Sequence, residues 1–366
     1  PLVMKGLFAG RSAGGRASAL GQYGGDARTE NAVLKALEWL KNHQAANGSW
    51  GAGGGDNQVG VTGLGLLTFL AHGETTASAK YGPTVEKAIR FLVSKQQENG
   101  VIGGLQPGKC ADGGDGSSYA HGIATYAIAE AYGITRIPSL KQTMEKAITI
   151  IIQGQQDGGG WDYRFCKGAR KDTSVAGWQV QALKAAYIAG AETPGIKEAL
   201  AKAAVYMKAM QNAETGQIGY SNPGSGNPPI TAVGVLCLQL IGHAEDKEVD
   251  KGLQFMRGWD LKWDKPGFNA PMYGWYYITQ AKFHKGGADW QSWNQDLRRE
   301  LPASQKEDGH WEFAGEEHGS GAGFAYSTTL AALSLQVYYR FLPTYKPIAV
   351  EKKTEEKSEE VSIEII

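Results

Sequence analysis

The chain has 366 residues, of which 42% are hydrophobic and 20% charged, the proportions of a globular protein with a sizeable core. Its 37 basic side chains balance 37 acidic ones, which removes a global electrostatic case for nucleic acid or an anionic membrane surface. The longest apolar runs, such as residues 64–70, fall short of the roughly 20 residues of a bilayer span, so no transmembrane segment is expected. The 51 glycines and 10 tryptophans are the unusual feature.

Residues 1–29 are glycine-rich. The stretch GLFAGRSAGGRASALGQYGGD lacks the Gly-Lys-Ser/Thr ending of a phosphate-binding loop, and no strand precedes it. It reads as a flexible lead-in that packs on the body of the protein.

From residue 30 the chain repeats itself. The first copy is Lys35-Ala36-x2-Trp39-Leu40-x3-Gln44-x3-Gly48-x-Trp50. The second, Lys87-Ala88-x2-Phe91-Leu92-x3-Gln96-x3-Gly100, lacks the tryptophan. The third is Lys146-Ala147-x2-Ile150-Ile151-x3-Gln155-x3-Gly159-x-Trp161. A fourth carries one extra residue between Gln211 and Gly216. The fifth keeps only Lys251-Gly252-x2-Phe255-Met256, and the sixth ends as Gln305-x3-Gly309-x-Trp311. Each copy opens with apolar residues at helical spacing on one face, and its glycine ends the helix. A second helix comes next, apolar nearly all round, as in VGVTGLGLLTFLAHG, SVAGWQVQALKAAYIAG and ITAVGVLCLQLIGH.

Six pairs of one half-wet and one dry helix predict an all-α closed double ring over residues 30–345, an (α/α)6 toroid with six inner and six outer helices. An open superhelix is the alternative, but neither end supplies a polar capping repeat. Gln44, Gln96, Gln155, Gln211 and Gln305, with Trp50, Trp161 and Trp311, are expected to staple neighbouring repeats. The amide would bond orphan backbone groups at a helix end, and the indole would cover it.

The consensus Lys/Arg-Gly/Ala-x2-aromatic-aliphatic-x3-Gln-x3-Gly-x-Trp resembles the QW repeat of the squalene–hopene cyclase and protein prenyltransferase superfamily. DTSVAGWQVQALKAA, TAVGVLCLQL and GFAYSTTLAALSLQVYYRFLPTY are similar to prenyltransferase/squalene-oxidase-repeat proteins of planctomycetes, for which the resemblance implies no assigned reaction. The superfamily implies a toroid with a central cavity. Its catalytic groups do not carry over intact. Where the cyclases have Asp-x-Asp-Asp-Thr-Ala, residues 169–174 keep only Asp172 and Thr173, with Lys171 at the proton donor's place. Where the prenyltransferases place a zinc-binding histidine, this chain has Tyr326. No metal or cofactor is therefore expected, and Asp172 is the candidate acid only if the protein is an enzyme.

In such a ring the loops before the inner helices share one rim, and Tyr119, His121, Trp161, Tyr163, Arg164, Tyr220, Tyr273, Trp275, Trp311 and Tyr326 are candidates to line it. Aromatic walls with a few polar groups suit a hydrophobic or glycan ligand. Converging helix N-termini, with Arg164, Lys167, Arg170 and Lys171, add an anionic one. Cys110 and Cys166 sit in neighbouring rim loops and are expected as a disulfide, which would place the protein in the periplasm or outside the cell. A metal site with Asp112 and His121, or two free thiols, are the alternatives. Cys237, inside GVLCLQL, is expected as a buried thiol. Residues 346–366 form a charged tail whose final VSIEII could pair with a protein partner. The leading expectation is ligand binding at the mouth. The competing one is an enzyme: a divergent terpenoid cyclase of the isomerase/lyase class, or a glycan lyase or hydrolase with two carboxylates.

Overall fold

The computed structural model describes residues 8–109, 117–168, 170–312 and 323–340. A short helix α1 (Ala13–Tyr23) precedes six helix pairs. These are α2 (Ala27–Asn42) with α3 (Gly55–His72), α4 (Gly82–Ser94) with α5 (Ser118–Thr135), and α6 (Pro138–Gly154) with α7 (Thr173–Ala189). They continue as α8 (Ile196–Ala209) with α9 (Pro228–Ile241), α10 (Lys247–Phe255) with α11 (Pro271–Lys285), and α12 (Gly287–Ser304) with α13 (Phe324–Leu335). One turn, α14 (Val337–Arg340), ends the described chain.

The odd-numbered helices α3 to α13 each pack on the next, and α13 packs back on α3, closing the inner ring. Outside it α12 meets α2. This is the (α/α)6 toroid. Among the described residues the only extended pairings are isolated bridges. The division into inner and outer helices comes from the side chains. Every residue of α9 is buried, whereas α4 buries Val85, Ala88, Ile89, Phe91 and Leu92 and turns Glu86, Lys87 and Arg90 outward. Close inner packing needs small residues: a Cβ on Gly63 would lie 2.9 Å from Ile123 Cγ2 and 3.2 Å from the Ala124 backbone nitrogen.

The glutamine staples are present at five of the six junctions, with acceptors other than those expected. Gln44 Nε2 donates to the carbonyls of Gly48 (3.0 Å) and Thr84 (2.9 Å). Gln96, Gln155 and Gln211 repeat this with Thr143, Ala199 and Glu248. Gln305 closes the ring on Ala32 at 2.8 Å. These carbonyls are not helix-end orphans. Each lies four residues before the Ala or Gly of the next Lys-Ala/Gly pair (Ala36, Ala88, Ala147, Ala203, Gly252), so it already accepts that residue's helical N–H. The amide takes the second lone pair, and a small side chain keeps its approach open. A Cβ on Gly252 would sit 3.7 Å from Gln211 Nε2. The repeat glycine is fixed by the same junction. Gly159 has φ +84°, and a Cβ there would collide with the Lys202 carbonyl of the next outer helix. The indole N–H of Trp50, Trp161 and Trp311 donates to the carbonyl ten residues back, in Leu40, Ile151 and Leu301.

The expected flexible lead-in is helical where it is described. Ser12 Oγ accepts from Gly15 N–H as the N-cap of α1. Arg11, 1% exposed, pairs with Glu130 at 2.6 Å and donates to the Leu70 and Arg340 carbonyls. This closes the end of the barrel where the inner helices finish. Residues 346–366 lie outside the described residues.

Replacing Gln305 with alanine removes two hydrogen bonds at the ring-closing seam. It is expected to cost about 1–3 kcal/mol in urea unfolding and to speed amide exchange in α2 and α12. The fifth junction has no glutamine, and α10 is expected to exchange fastest among the outer helices of the unaltered protein.

Candidate ligand-binding site

The N-termini of the six inner helices surround a cavity of about 620 Å³. It is a cup and not a channel. Arg340, fully buried, lies against the rings of Tyr126 on α5 and Tyr276 on α11, at 5.7 and 5.6 Å. Those two helices are opposite each other in the ring, so this contact crosses the barrel axis. Trp178 stacks on Tyr276 from α7 and thickens the plug.

Each pair contributes to the wall. Asp56 and Asn57 come from the first turn of α3, Ser117, Tyr119 and Ile123 from the start of α5, and Tyr163 and Ser174 from around the start of α7. Tyr220, Asn227 and Ile230 come from the approach to α9, Asn269, Ala270 and Tyr273 from that to α11, and Tyr326 from α13. Capping positions these groups. Ser117 and Asn227 are N-caps whose side chains accept from Tyr119 and Ile230 N–H. Prolines in the first turns of α9 and α11 fix those entries. Ala270, the residue before Pro271, has φ 54°, a conformation L-residues adopt at a cost.

Of the rim candidates, Tyr119, Tyr163, Tyr220, Tyr273 and Tyr326 line the cup. His121, Trp161, Trp275 and Trp311 do not; they are wall residues, at most 1% exposed. Helix phase explains two of them. His121 and Trp275 come two positions after Tyr119 and Tyr273, about 200° round a helix, and so face away from the cup. His121 Nδ1 accepts from Ile102 N–H at 3.0 Å, which leaves Nε2 to donate to the Ala147 carbonyl at 3.1 Å. Burial pulls its pKa down to about 4. Trp275 packs on Trp263, and the indoles of Trp161 and Trp311 are tied to the outer helices of their own copies.

Two cations of the third loop, Lys167 and Arg170, are engaged away from the cup, and neither Arg164 nor Lys171 is among its lining residues. Lys167 Nζ donates to the Gln155 carbonyl at 2.5 Å, and Arg170 pairs with Asp172 at 2.6 Å. The side chain of Arg164 is not part of the lining; its backbone N–H donates to Asp162 and its carbonyl accepts from Gly108. Asp172 is fully buried behind the wall as the N-cap of α7. Its carboxylate accepts from Ser174 N–H, Ser174 Oγ and Arg170, and only Ser174 of these reaches the cup.

Asp56 is the one carboxylate among the described lining residues. Its oxygens accept from Gly104 N–H at 2.7 Å and Ser117 N–H at 2.5 Å. The phenols of Tyr119 and Tyr273 are held well above their ordinary pKa, first by burial and then by neighbouring tyrosines, and so stay neutral. The amides Asn57, Asn227 and Asn269 were not foreseen, although the Asn-Pro-Pro and Asn-Ala-Pro strings at 227–229 and 269–271 are helix-start signals.

Among the described residues no three His, Cys, Asp or Glu side chains gather as a metal site, and no helix is long and apolar enough to cross a membrane. Cys237 is a free buried thiol. Cys166 is buried and disulfide-bonded. Cys110 and Asp112 lie outside the described residues.

No protein-family model matches the chain, and no curated protein matches it. Solved structures do. The alpha-1,6-mannanase of Salegentibacter sp. HEL1_6 is similar with a TM-score of 0.61 at 13% identity, covering 86% of this chain and 99% of its own. Versions of it hold alpha-1,6-mannotriose or alpha-1,6-mannotetrose. The type II terpene cyclase MstE from Scytonema is similar with a TM-score of 0.57 at 14% identity, over 84% of this chain and 98% of its own. An unsaturated glucuronyl hydrolase specific for heparin gives 0.59 at 12%, over 86% and 97%. At such identities the likeness establishes the shared toroid.

An imidazole kept neutral in the fold adds stability that is complete above its ordinary pKa of 6.5 and is lost as pH falls from 6.5 toward 4. Urea unfolding is therefore expected to show falling stability across that window, with part of the slope absent in His121→Asn.

Proposed function

We propose that this toroid, built like the mannanase, the cyclase and the hydrolase, binds a neutral, hydroxyl-rich ligand in its cup, a short glycan segment. The observation that carries this is the lining. Among the described lining residues, five tyrosines from five of the six helix pairs and three asparagines stand with a single carboxylate and no Lys, Arg or His. Tyrosine faces pack on the C–H faces of sugar rings, while phenols and amides pair with their hydroxyls. The volume is within the usual range of about 300–1,000 Å³ for ligand sites. An isoprenoid would cover the same phenols and amides without pairing them, which is costly. An anion would meet Asp56 and no described cation.

The cyclase reading is weakened by the position of Asp172, whose oxygens face α7 and Arg170. Two-carboxylate glycan cleavage would need a partner for Asp56, which is the single carboxylate among the described lining residues. The staple geometry supports reading the repeats as QW repeats, because it gives the lysine, the small residue, the glutamine and the glycine one shared junction. We also propose that Cys166 is bridged to Cys110 and that the protein works in the periplasm or outside the cell.

The direct test is titration calorimetry with alpha-1,6-mannotetrose. Saturable binding is expected, weakened at least about tenfold in Tyr273→Ala. Binding of a C20 isoprenoid alcohol but not of the sugar would overturn the reading, and time-dependent release of mannose would move the protein to the enzymes. For the bridge, non-reducing peptide mapping is expected to return a fragment joining the Cys110 and Cys166 peptides; alkylation of both thiols without reductant would refute it.

A further inference from the structure

Two hydroxyls in the cup have their proton directions set by buried neighbours. Tyr119 Oη lies 2.5 Å from Ser174 Oγ, which lies 2.5 Å from Asp172 Oδ1. Asp172 accepts in its other contacts as well, from Ser174 N–H at 2.9 Å and from Arg170 at 2.6 Å. Serine has one hydroxyl proton, and it is directed to the carboxylate. The proton between Tyr119 and Ser174 must then be the phenol's. Tyr119 therefore turns only lone pairs toward the cup, where the neighbouring Tyr163 phenol can meet one of them and a ligand proton the other.

Tyr220 has the opposite polarity. The Asn227 side-chain oxygen accepts from Ile230 N–H at 2.9 Å as the N-cap of α9, so its NH2 is the group that donates to Tyr220 Oη at 3.1 Å. With one lone pair occupied from the wall, the Tyr220 proton is available to the cup. A third phenol, Tyr273, lines the same cup with its hydroxyl buried and without a hydrogen-bond partner among the described residues. Such groups are rare in folded proteins and mark a place where a ligand group completes the set.

We infer that the cup selects its ligand by hydrogen-bond polarity: the buried Asp172–Ser174 pair makes Tyr119 an acceptor that needs a proton from the ligand, while Tyr220 offers one. The ligand class that satisfies both is a polyol, whose hydroxyls donate and accept. An ether, a quinone or a fully O-alkylated sugar has no proton for Tyr119. Ser174 and Asp172 are positioning residues that act through Tyr119. The inference deepens the glycan reading and rests on it for the choice of ligand.

Two measurements test it. In calorimetry, alpha-1,6-mannotetrose is expected to bind the unaltered protein at least about tenfold more tightly than its per-O-methylated derivative, the factor that leaving a buried group unpaired brings. Ser174→Ala frees the Tyr119 hydroxyl to turn, and the preference is expected to shrink several-fold through tighter binding of the methylated sugar. Tyr119→Phe should weaken the free sugar alone. An unchanged preference in a Ser174→Ala protein that melts like the original overturns the inference. The second measurement needs no ligand. With tyrosine Cζ labelled by carbon-13, the Tyr119 hydroxyl is expected to exchange slowly in mixed light and heavy water, giving a split Cζ signal that Ser174→Ala collapses. An unsplit signal in the unaltered protein overturns the polarity assignment whatever binds. A split signal with no sugar binding leaves that assignment standing and removes the glycan reading alone.

Discussion

The toroid depends on one contact repeated around its outer wall: a glutamine amide bridging its own loop and the first turns of the next outer helix. The acceptor carbonyl is already engaged in its helix, so the amide needs a second, lateral approach that only alanine or glycine leaves open. The repeat glycine must pass the lysine carbonyl of that helix with positive φ. Four residues of the consensus thus answer to a single junction shared by two copies. Closure needs no special device, because Gln305 meets Ala32 as Gln155 meets Ala199. At the fifth junction, without a glutamine, Arg257 pairs with Asp289 and Lys282 lies over the Trp293 ring and donates to the Trp259 carbonyl.

Closing the ring gives its two ends different chemistry. At one end the inner helices finish, and Arg11, Glu130, Arg340 and two buried tyrosines fill the axis. Removing one partner of such a buried pair typically costs about 3–5 kcal/mol, so this end is a fixed floor. At the other end the helices begin, and the first N–H groups of α5, α7 and α9 are met by Ser117, Asp172 and Asn227, while α3, α11 and α13 start without a side-chain cap. Two cations of the third loop are engaged as well, Lys167 on a carbonyl and Arg170 on Asp172. What faces the cup among the described residues is phenol, amide, serine hydroxyl and aliphatic surface, with the one carboxylate of Asp56.

Asp172 shows how one residue type at one place changes meaning with its surroundings. At the start of an inner helix an aspartate can be a proton donor or a helix cap. Here three hydrogen bonds point into its carboxylate, and its influence reaches the cup only through Ser174 and Tyr119. The three tyrosines Tyr119, Tyr220 and Tyr273 differ likewise: one has its proton directed inward, one receives a proton from the wall, and one has no hydrogen-bond partner among the described residues.

The amino-acid sequence by itself determined the toroid, its inner and outer helices and which loops share a rim, because hydrophobic periodicity and a recurrent Gln-x3-Gly are local patterns that survive without coordinates. It also picked out the five cup tyrosines. It did not separate them from His121, Trp161, Trp275 and Trp311, since proximity to a loop does not tell which side of a helix a residue faces. Only the tertiary structure decided that the barrel is plugged, that Lys167 and Arg170 are engaged away from the cup, that 13–23 is helical and that Asp172 is a cap. Each of these rests on contacts between residues far apart in the chain, such as Arg11 with Glu130, or Arg340 with Tyr126 and Tyr276, and a sequence pattern carries no record of such distances.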